Sequence, residues 1–123
     1  MADVSTLRHF RDVAAAGGYI GGDDPVAVEA LGPTASYAAY AATLGAPDYA
    51  LGCAVSFKEA LLPGWYWRCG HGSAEPGWAH LNRVHPDHCD RLDEASGKAP
   101  TPAKALVVAT LNALIAIAEA RHG

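Results

Sequence analysis

The strongest constraint on the fold is an abrupt change of pattern in the middle of the chain, at residues 61–71, which read LLPGWYWRCGH. A helical pattern runs up to this point. Pro63 cannot continue a helix, and Gly64 permits the positive φ of a turn, so we expect the helix to end here. The aromatic run that follows is typical of a β-strand.

The side chains of this strand alternate between two faces, because the side-chain period of a strand is two residues. Trp65, Trp67 and Cys69 share one face, whereas Tyr66 and Arg68 share the other. Two neighbouring indoles in a small domain usually belong to the core. We therefore predict that Trp65 and Trp67 are buried.

The composition indicates a single soluble domain. The chain has 123 residues, of which 50% are hydrophobic and 18% charged, and a domain of this size can bury a core without disulfides or metals. A net charge of −4 disfavours direct binding to a nucleic-acid backbone. The three cysteines, Cys53, Cys69 and Cys89, are an odd number without repeated spacing, as expected of reduced thiols in a cytosol-like compartment.

Neither end of the chain predicts a membrane association. Residues 1–6 lack the basic and apolar regions of a signal peptide. The longest apolar run, 105–118, is interrupted by Thr110 and Asn112 and is shorter than the roughly 20 residues that a membrane span needs. We expect a cytoplasmic protein.

Three helices are predicted from their first residues. Ser5 is a favourable N-cap, and Asp24-Pro25 and Thr101-Pro102 each combine a capping side chain with proline at the first helical position. The helix after Thr101 is apolar on most sides, so we predict that it crosses the sheet as the central helix.

Two further helical segments lie between these. Tyr37, Tyr40 and Leu44 share one face of a segment that follows Pro33. Ser56 and Glu59 match a capping box, which predicts a helix that runs through Leu62. The pattern does not decide whether 50–55 already belong to that helix or are extended.

A hairpin is predicted after the Trp-rich strand. Residues 70–77 are rich in turn formers, and 78–84 would be the partner strand. On that strand Ala79 and Leu81 face one way, while Trp78, His80 and Asn82 face the other. The polar stretch 85–98 predicts a short helix from Pro86 or an irregular segment.

Three motifs in order resemble the landmarks of the phage ABA sandwich domain family: APDY at 46–49, EALLPGWYWR at 59–68 and TPAKAL at 101–106. The resemblance covers 41–120, with Ala50 where the family pattern has a hydroxyl residue. It implies helix, sheet and helix layers, and a phage or prophage accessory protein in the host cytoplasm. It implies no catalytic residue and no cofactor.

Pattern and resemblance together predict an α+β fold: one domain in which helices pack on a small antiparallel sheet, as in an alpha-beta-alpha sandwich. We predict an N-terminal helical segment at 1–45 that packs on a core at 46–123, as one folding unit. Whether 1–45 cover the sheet or form the binding element is not decided by the sequence.

The soft metal ligands concentrate in one region but lack a convincing spacing for zinc. A catalytic alternative uses Cys89 as a nucleophile, with His88 or His85 as base and Asp87 or Asp90 to orient it. Neighbours in sequence point in different directions, so we predict no metal, no cofactor and no catalytic residue. The candidate ligands are Cys69, His71, His80, His85, His88 and Cys89.

Two sets of residues are candidates for partner binding. Tyr66, Arg68 and Trp78 would line an open face of the sheet, unless the N-terminal helices cover it and Arg68 pairs with an acid. The glycine-rich segment 17–22 lacks the ending of a phosphate loop. With Tyr19 and Ile20 it is predicted to form an adaptable exposed tip, followed by Asp23 and Asp24.

The leading functional hypothesis is a non-enzymatic phage protein that binds and inhibits a host antiviral complex such as a CRISPR effector. Its partners would be host or phage proteins, with a homodimer as a further arrangement, and neither membrane nor nucleic acid is expected. The alternatives are a small metal-dependent or cysteine enzyme that uses the His/Cys residues, and a structural phage component.

Overall fold

The computed structural model describes residues 3–44, 49–84 and 91–122. The described chain forms helices and one three-stranded antiparallel sheet, so the predicted α+β class is confirmed. The helices are α1 (Val4–Ala15), α2 (Pro25–Leu31), α3 (Pro33–Leu44), α4 (Ala50–Leu61) and α5 (Pro102–His122). The strands are β1 (Tyr66–Gly70), β2 (Trp78–Val84) and β3 (Arg91–Lys98), in the spatial order β1-β2-β3.

The two caps that include proline are confirmed. The backbone N–H of Lys104 donates to Thr101 Oγ1 at 3.2 Å at the start of α5. The N–H of Val26 donates to Asp24 Oδ1, also at 3.2 Å, at the start of α2. These hydroxyl and carboxylate oxygens satisfy amides that the helix itself leaves without a partner.

The predicted N-cap at Ser5 is wrong, and the structure decides the alternative that the sequence left open for 50–55. The N-cap residue of α1 is Asp3, and Ser5 lies in the first turn, where its hydroxyl donates to the Asp3 carboxylate. Residues 50–55 belong to α4, so Ser56 lies in the middle of this helix rather than at its cap. Ala50 and Ala54 are buried on the same side as Phe57, and this packing extends α4 toward its N-terminus.

The prediction for the polar stretch is also wrong over its second half. The eight residues Arg91–Lys98 form strand β3, although Asp93, Glu94 and Gly97 are residue types that are uncommon in strands. Backbone pairing with β2 overrides this preference, in a register from Trp78 opposite Lys98 to Val84 opposite Arg91. A helix from Pro86 would lie outside the described residues.

Helix α5 is the centre of the core, as predicted. It packs on the sheet with one side and on α1 and α4 with the others. Gly97 allows the close approach of β3, because a Cβ at this position would lie 2.6 Å from Ala109 N and 2.7 Å from Ala105 O. Asn112 bridges the layers: its side chain donates to Ser96 O and accepts from Arg11 Nη1.

The alternation of faces in β1 and β2 is confirmed, but the burial of Trp67 is not. Trp67 pairs with Leu81 and therefore lies on the face that α5 covers. Trp65 is 6% exposed, whereas Trp67 is 38% exposed. Strand β1 is an edge of the sheet, and α5 packs mainly on β2 and β3, so the helix leaves Trp67 partly in solvent.

The opposite face of the sheet is open in the part of the chain that the structure describes. Helix α1 packs on α5, and α3 packs on α4 and α5, so the described helices of 1–45 contact other helices rather than this face. The resemblance implies a layer of helices on each face of the sheet. None of the described helices forms such a layer on the open face. The domain boundary at 45/46 stays a prediction.

Helix α5 is long and apolar enough to span a membrane, judged by length and composition alone. No other described helix meets this criterion. Most of this helix is buried inside the fold, with 61% of its most apolar window enclosed. The core helix of a globular domain has the same properties. We therefore assign α5 to the core, while the cytoplasmic location stays a prediction.

Candidate functional site

The residues predicted to bind a partner fall on two surfaces. Tyr19, Asp23 and Asp24 lie around one depression, together with Tyr37 and Tyr40 of α3. We call these five residues the tyrosine patch. The other predicted residues, Tyr66, Arg68 and Trp78, lie on the open face of the sheet.

The tyrosine patch depends on a loop that α3 holds in place. Gly21 and Gly22 have φ values of 89° and 72°, which side chains other than glycine rarely adopt. The Gly22 N–H donates to Ser36 O at 2.8 Å, and the Ser36 hydroxyl donates to Gly22 O at 2.8 Å. The loop therefore runs directly against the α3 backbone, where a Cβ on Gly21 would lie 2.2 Å from Ser36 O.

A second contact anchors the loop about two turns further along α3. The Ile20 N–H donates to Thr43 Oγ1 at 3.0 Å, and the Thr43 hydroxyl donates to Ala39 O at 2.7 Å. The Ile20 side chain is buried. The predicted exposure is thus correct for Tyr19 and wrong for Ile20, because the Ile20 side chain anchors the loop in the core.

Above these buried anchors the patch is aromatic and acidic. Tyr19 and Tyr37 are 62% and 59% exposed. The rings of Tyr19 and Tyr40 meet edge to face, with centroids 5.8 Å apart, an arrangement that aromatic pairs favour. They border a depression of ≈ 480 Å³ whose lining includes Asp23 and Asp24 and, among the described residues, no cationic side chain.

The register of the strands determines which side chains are neighbours on the open face of the sheet. Arg68, His80 and Ser96 are direct cross-strand neighbours on it. The Trp78 indole lies across Gly70 of β1, since a Cβ there would be 2.9 Å from the indole. Tyr66 is 64% exposed. Arg68 makes no hydrogen bond or ion pair with the described residues, so its predicted pairing with an acid is not seen among them.

Cross-strand and loop contacts give this face a mixed polarity. Lys98 Nζ lies 2.9 Å from Glu75 Oε1, and the hydrogen bond to that carboxylate raises the pKa of Lys98. His80 Nδ1 is buried and has no hydrogen-bond partner in the described ranges. The face thus offers two aromatic side chains, Tyr66 and Trp78, one guanidinium and one imidazole rather than a single type of charge.

The described residues do not assemble a metal site. No group of three His, Cys, Asp or Glu side chains lies close enough together within 3–44, 49–84 and 91–122 to hold an ion. His71 is exposed, whereas Cys69 is partly buried, and burial raises the pKa of its thiol. The proposed nucleophile and its neighbours, His85, Asp87, His88, Cys89 and Asp90, lie outside the described residues.

The sequence did not indicate that Tyr37 and Tyr40 belong to the site. Helix α3 buries Ala35, Ala39 and Ala42 and turns its tyrosines outward. A helix with apolar residues on both sides gives no pattern from which to choose the buried side. The available signal was side-chain size. The glycine loop and α4 approach α3 closely, and only the side of α3 with small residues leaves room for them.

Comparison with family models, with curated proteins and with solved structures found no match to this chain.

Proposed function

We propose that this chain is a non-enzymatic binding protein that recognises a basic surface of a partner protein with its tyrosine patch. The observation that carries the proposal is the combination of three tyrosines and two aspartates around one depression that has no cationic side chain within the described ranges. Tyrosine is among the residues that contribute most to binding energy at protein interfaces.

The geometry of the patch fits lysine and arginine side chains of a partner. A cation can lie over a tyrosine ring while a carboxylate approaches its charge. Asp24 already accepts the Val26 N–H as a helix cap, so one of its oxygens remains for a partner. Asp23 is exposed and makes no hydrogen bond or ion pair with the described residues.

The loop anchors support the same proposal through preorganisation. Interfaces that are ordered before binding lose less conformational entropy when the complex forms. The two hydroxyl anchors and the buried Ile20 fix the loop in the free protein. The backbone that carries Tyr19, Asp23 and Asp24 is therefore held against α3 at Ile20 and Gly22.

The partner that we propose is a host antiviral complex, with a CRISPR effector as the specific candidate. This part rests on the resemblance to phage proteins together with the charge of the patch. A complex that binds nucleic acid exposes lysines and arginines along its binding channel. An acidic and aromatic surface can occupy such a channel without mimicking a whole nucleic acid.

The test uses bacteria that carry an active CRISPR system and express this protein. We expect the protein to restore phage plating, and Tyr37→Ala or Asp23→Lys to remove this effect. The same variants should weaken binding to the purified effector complex by about 2 kcal/mol, roughly thirtyfold in Kd.

The matched control is Glu29→Lys, because Glu29 is exposed on α2 outside the depression. It changes the net charge by the same amount as Asp23→Lys. Retained binding in Glu29→Lys and lost binding in Asp23→Lys support the patch. Loss in both, or in neither, contradicts it, and a failure of the protein to restore plating against any CRISPR type tested contradicts the proposed target.

A further inference from the structure

A second depression lies on another part of the molecule, where α1, α2, α4 and β2 meet the C-terminal half of α5. It has a volume of ≈ 460 Å³, within the usual range for small-molecule sites. Its apolar lining includes Leu7, Leu31, Leu62, Trp65, Leu114 and Ile117. Three helices and the connection between α4 and β1 contribute these side chains, so the depression is a product of the tertiary fold.

Among the described residues, the charged groups in this lining are the guanidinium groups of Arg83 and Arg121. The Arg83 guanidinium lies 5.3 Å from the ring centroid of Trp65 and pairs with Asp93. Arg121 is exposed and makes no hydrogen bond or ion pair with any described residue. The acids Asp93 and Glu94 border an adjoining depression on the β3 side.

An apolar wall beside a guanidinium that has no partner among the described residues is complementary to a molecule with an apolar body and an anionic end. The volume is about three times that of a cavity of roughly 150 Å³ that admits benzene, which is enough for a medium-length alkyl chain. A carboxylate suits Arg121 because its two oxygens can accept from the guanidinium fork.

We propose that this depression binds a medium-chain carboxylate, with the alkyl chain against Trp65, Leu114 and Ile117 and the carboxylate at Arg121. The occupant that we propose is a small amphiphile rather than a protein segment, because the charged lining within the described ranges is limited to Arg83 and Arg121, which both also border the adjoining depression. This proposal does not depend on the tyrosine patch.

The probe is dodecanoate, compared with dodecanol and dodecylammonium. The variant Trp67→Phe/Trp78→Phe retains Trp65 as the only one of the three tryptophans, so its fluorescence reports on the lining. We expect saturable one-to-one binding of dodecanoate, weaker binding of dodecanol, and none of dodecylammonium at the same concentration. Octanoate and tetradecanoate then locate the preferred chain length.

Substitutions separate the two ends of the site. Arg121→Ala should weaken dodecanoate binding roughly three- to tenfold and leave dodecanol unchanged, whereas Arg68→Ala on the open sheet face should change neither. Ile117→Trp should remove binding of both ligands by filling the depression. Leu114→Phe serves the same purpose if circular dichroism shows that Ile117→Trp does not fold.

Several results would overturn the proposal. Absence of saturable dodecanoate binding does so outright. Equal binding of dodecanoate and dodecanol, unchanged in Arg121→Ala, contradicts the carboxylate assignment. Retained binding in folded Ile117→Trp and Leu114→Phe places any ligand elsewhere.

Discussion

The tyrosine patch and the open sheet face both expose aromatic side chains, but they are built in different ways. The patch stands on buried contacts between two segments distant in sequence, a glycine loop and α3. The sheet face stands on the pairing of neighbouring strands and on contacts across its own surface. A substitution beneath the patch should therefore lower the free energy of unfolding of the whole domain. A substitution on the sheet face should have a smaller effect.

The two surfaces also differ in charge. The charged side chains that the structure describes in the patch are the carboxylates of Asp23 and Asp24, while the sheet face combines Arg68, His80 and Lys98, the last already paired with Glu75. A surface of one charge type selects partners of the opposite charge. This difference makes the patch the stronger candidate for specific recognition.

The largest expected effect is that of Gly21→Ala beneath the patch. The free energy of unfolding should fall by about 2 to 4 kcal/mol, because the positive φ is unfavourable for alanine and its Cβ would meet the α3 backbone. Gly72→Ala in the β1–β2 connection is the control, since nothing lies within 4 Å of its added Cβ. Urea denaturation of both variants measures the contrast, and equal losses would break the comparison.

The next effect tests one of the hydroxyl anchors. Thr43→Val keeps the shape of the side chain but removes the acceptor of the Ile20 N–H, which should cost about 1 to 3 kcal/mol because a buried amide loses its partner. Thr34→Val, at an exposed position of the same helix, should lie within about 0.5 kcal/mol of the parent protein. A Thr43→Val protein as stable as Thr34→Val would show that the anchor is dispensable.

Smaller effects are expected on the open sheet face. Trp78→Ala should lose about 0.5 to 1 kcal/mol, because the indole packs across the strand on Gly70. Tyr66→Ala should lose less than about 0.5 kcal/mol, because its ring is mostly in solvent. Thermal unfolding ranks the pair, and a reversal of this order would mean that Tyr66 rather than Trp78 supports the sheet.

The smallest effect concerns the pH dependence of stability through Cys69. Burial raises the pKa of this thiol, so the folded protein holds the proton at pH values where the unfolded chain releases it. The resulting stability is complete below the pKa of the unfolded thiol and is lost as the pH rises through the higher pKa of the folded state. Cys69→Ser should flatten the alkaline part of the curve of unfolding free energy against pH, whereas Cys53→Ser should leave it in place.

The parts of the fold that could be predicted are those that depend on local chemistry. The caps at Asp24 and Thr101 and the alternation of faces in β1 and β2 follow from single side chains and from the period of a strand. Strand β3 could not be predicted, because its polar sequence becomes a strand only through the hydrogen bonds that β2 offers. The exposure of Trp67 depends on how far α5 reaches across the sheet, which no pattern in β1 contains.

The candidate site shows the same division. Tyr19, Asp23 and Asp24 were identified from turn chemistry and exposure of short polar segments. Tyr37 and Tyr40 were missed because their surroundings depend on which side of α3 faces the loop. The apolar depression at Trp65 was also missed. Its lining comes from five elements, so it depends on how all of them pack together.

The placement of the lysines has a practical consequence for attaching the protein to a support. The chain has three lysines, Lys58, Lys98 and Lys104; Lys58 is fully buried, and the Lys104 ammonium donates to Gly17 O. The Lys98 side chain is 75% exposed and lies at the end of β3. Amine-reactive coupling through a lysine will therefore attach the protein mainly at Lys98 on the sheet. The tyrosine patch is then not the point of attachment.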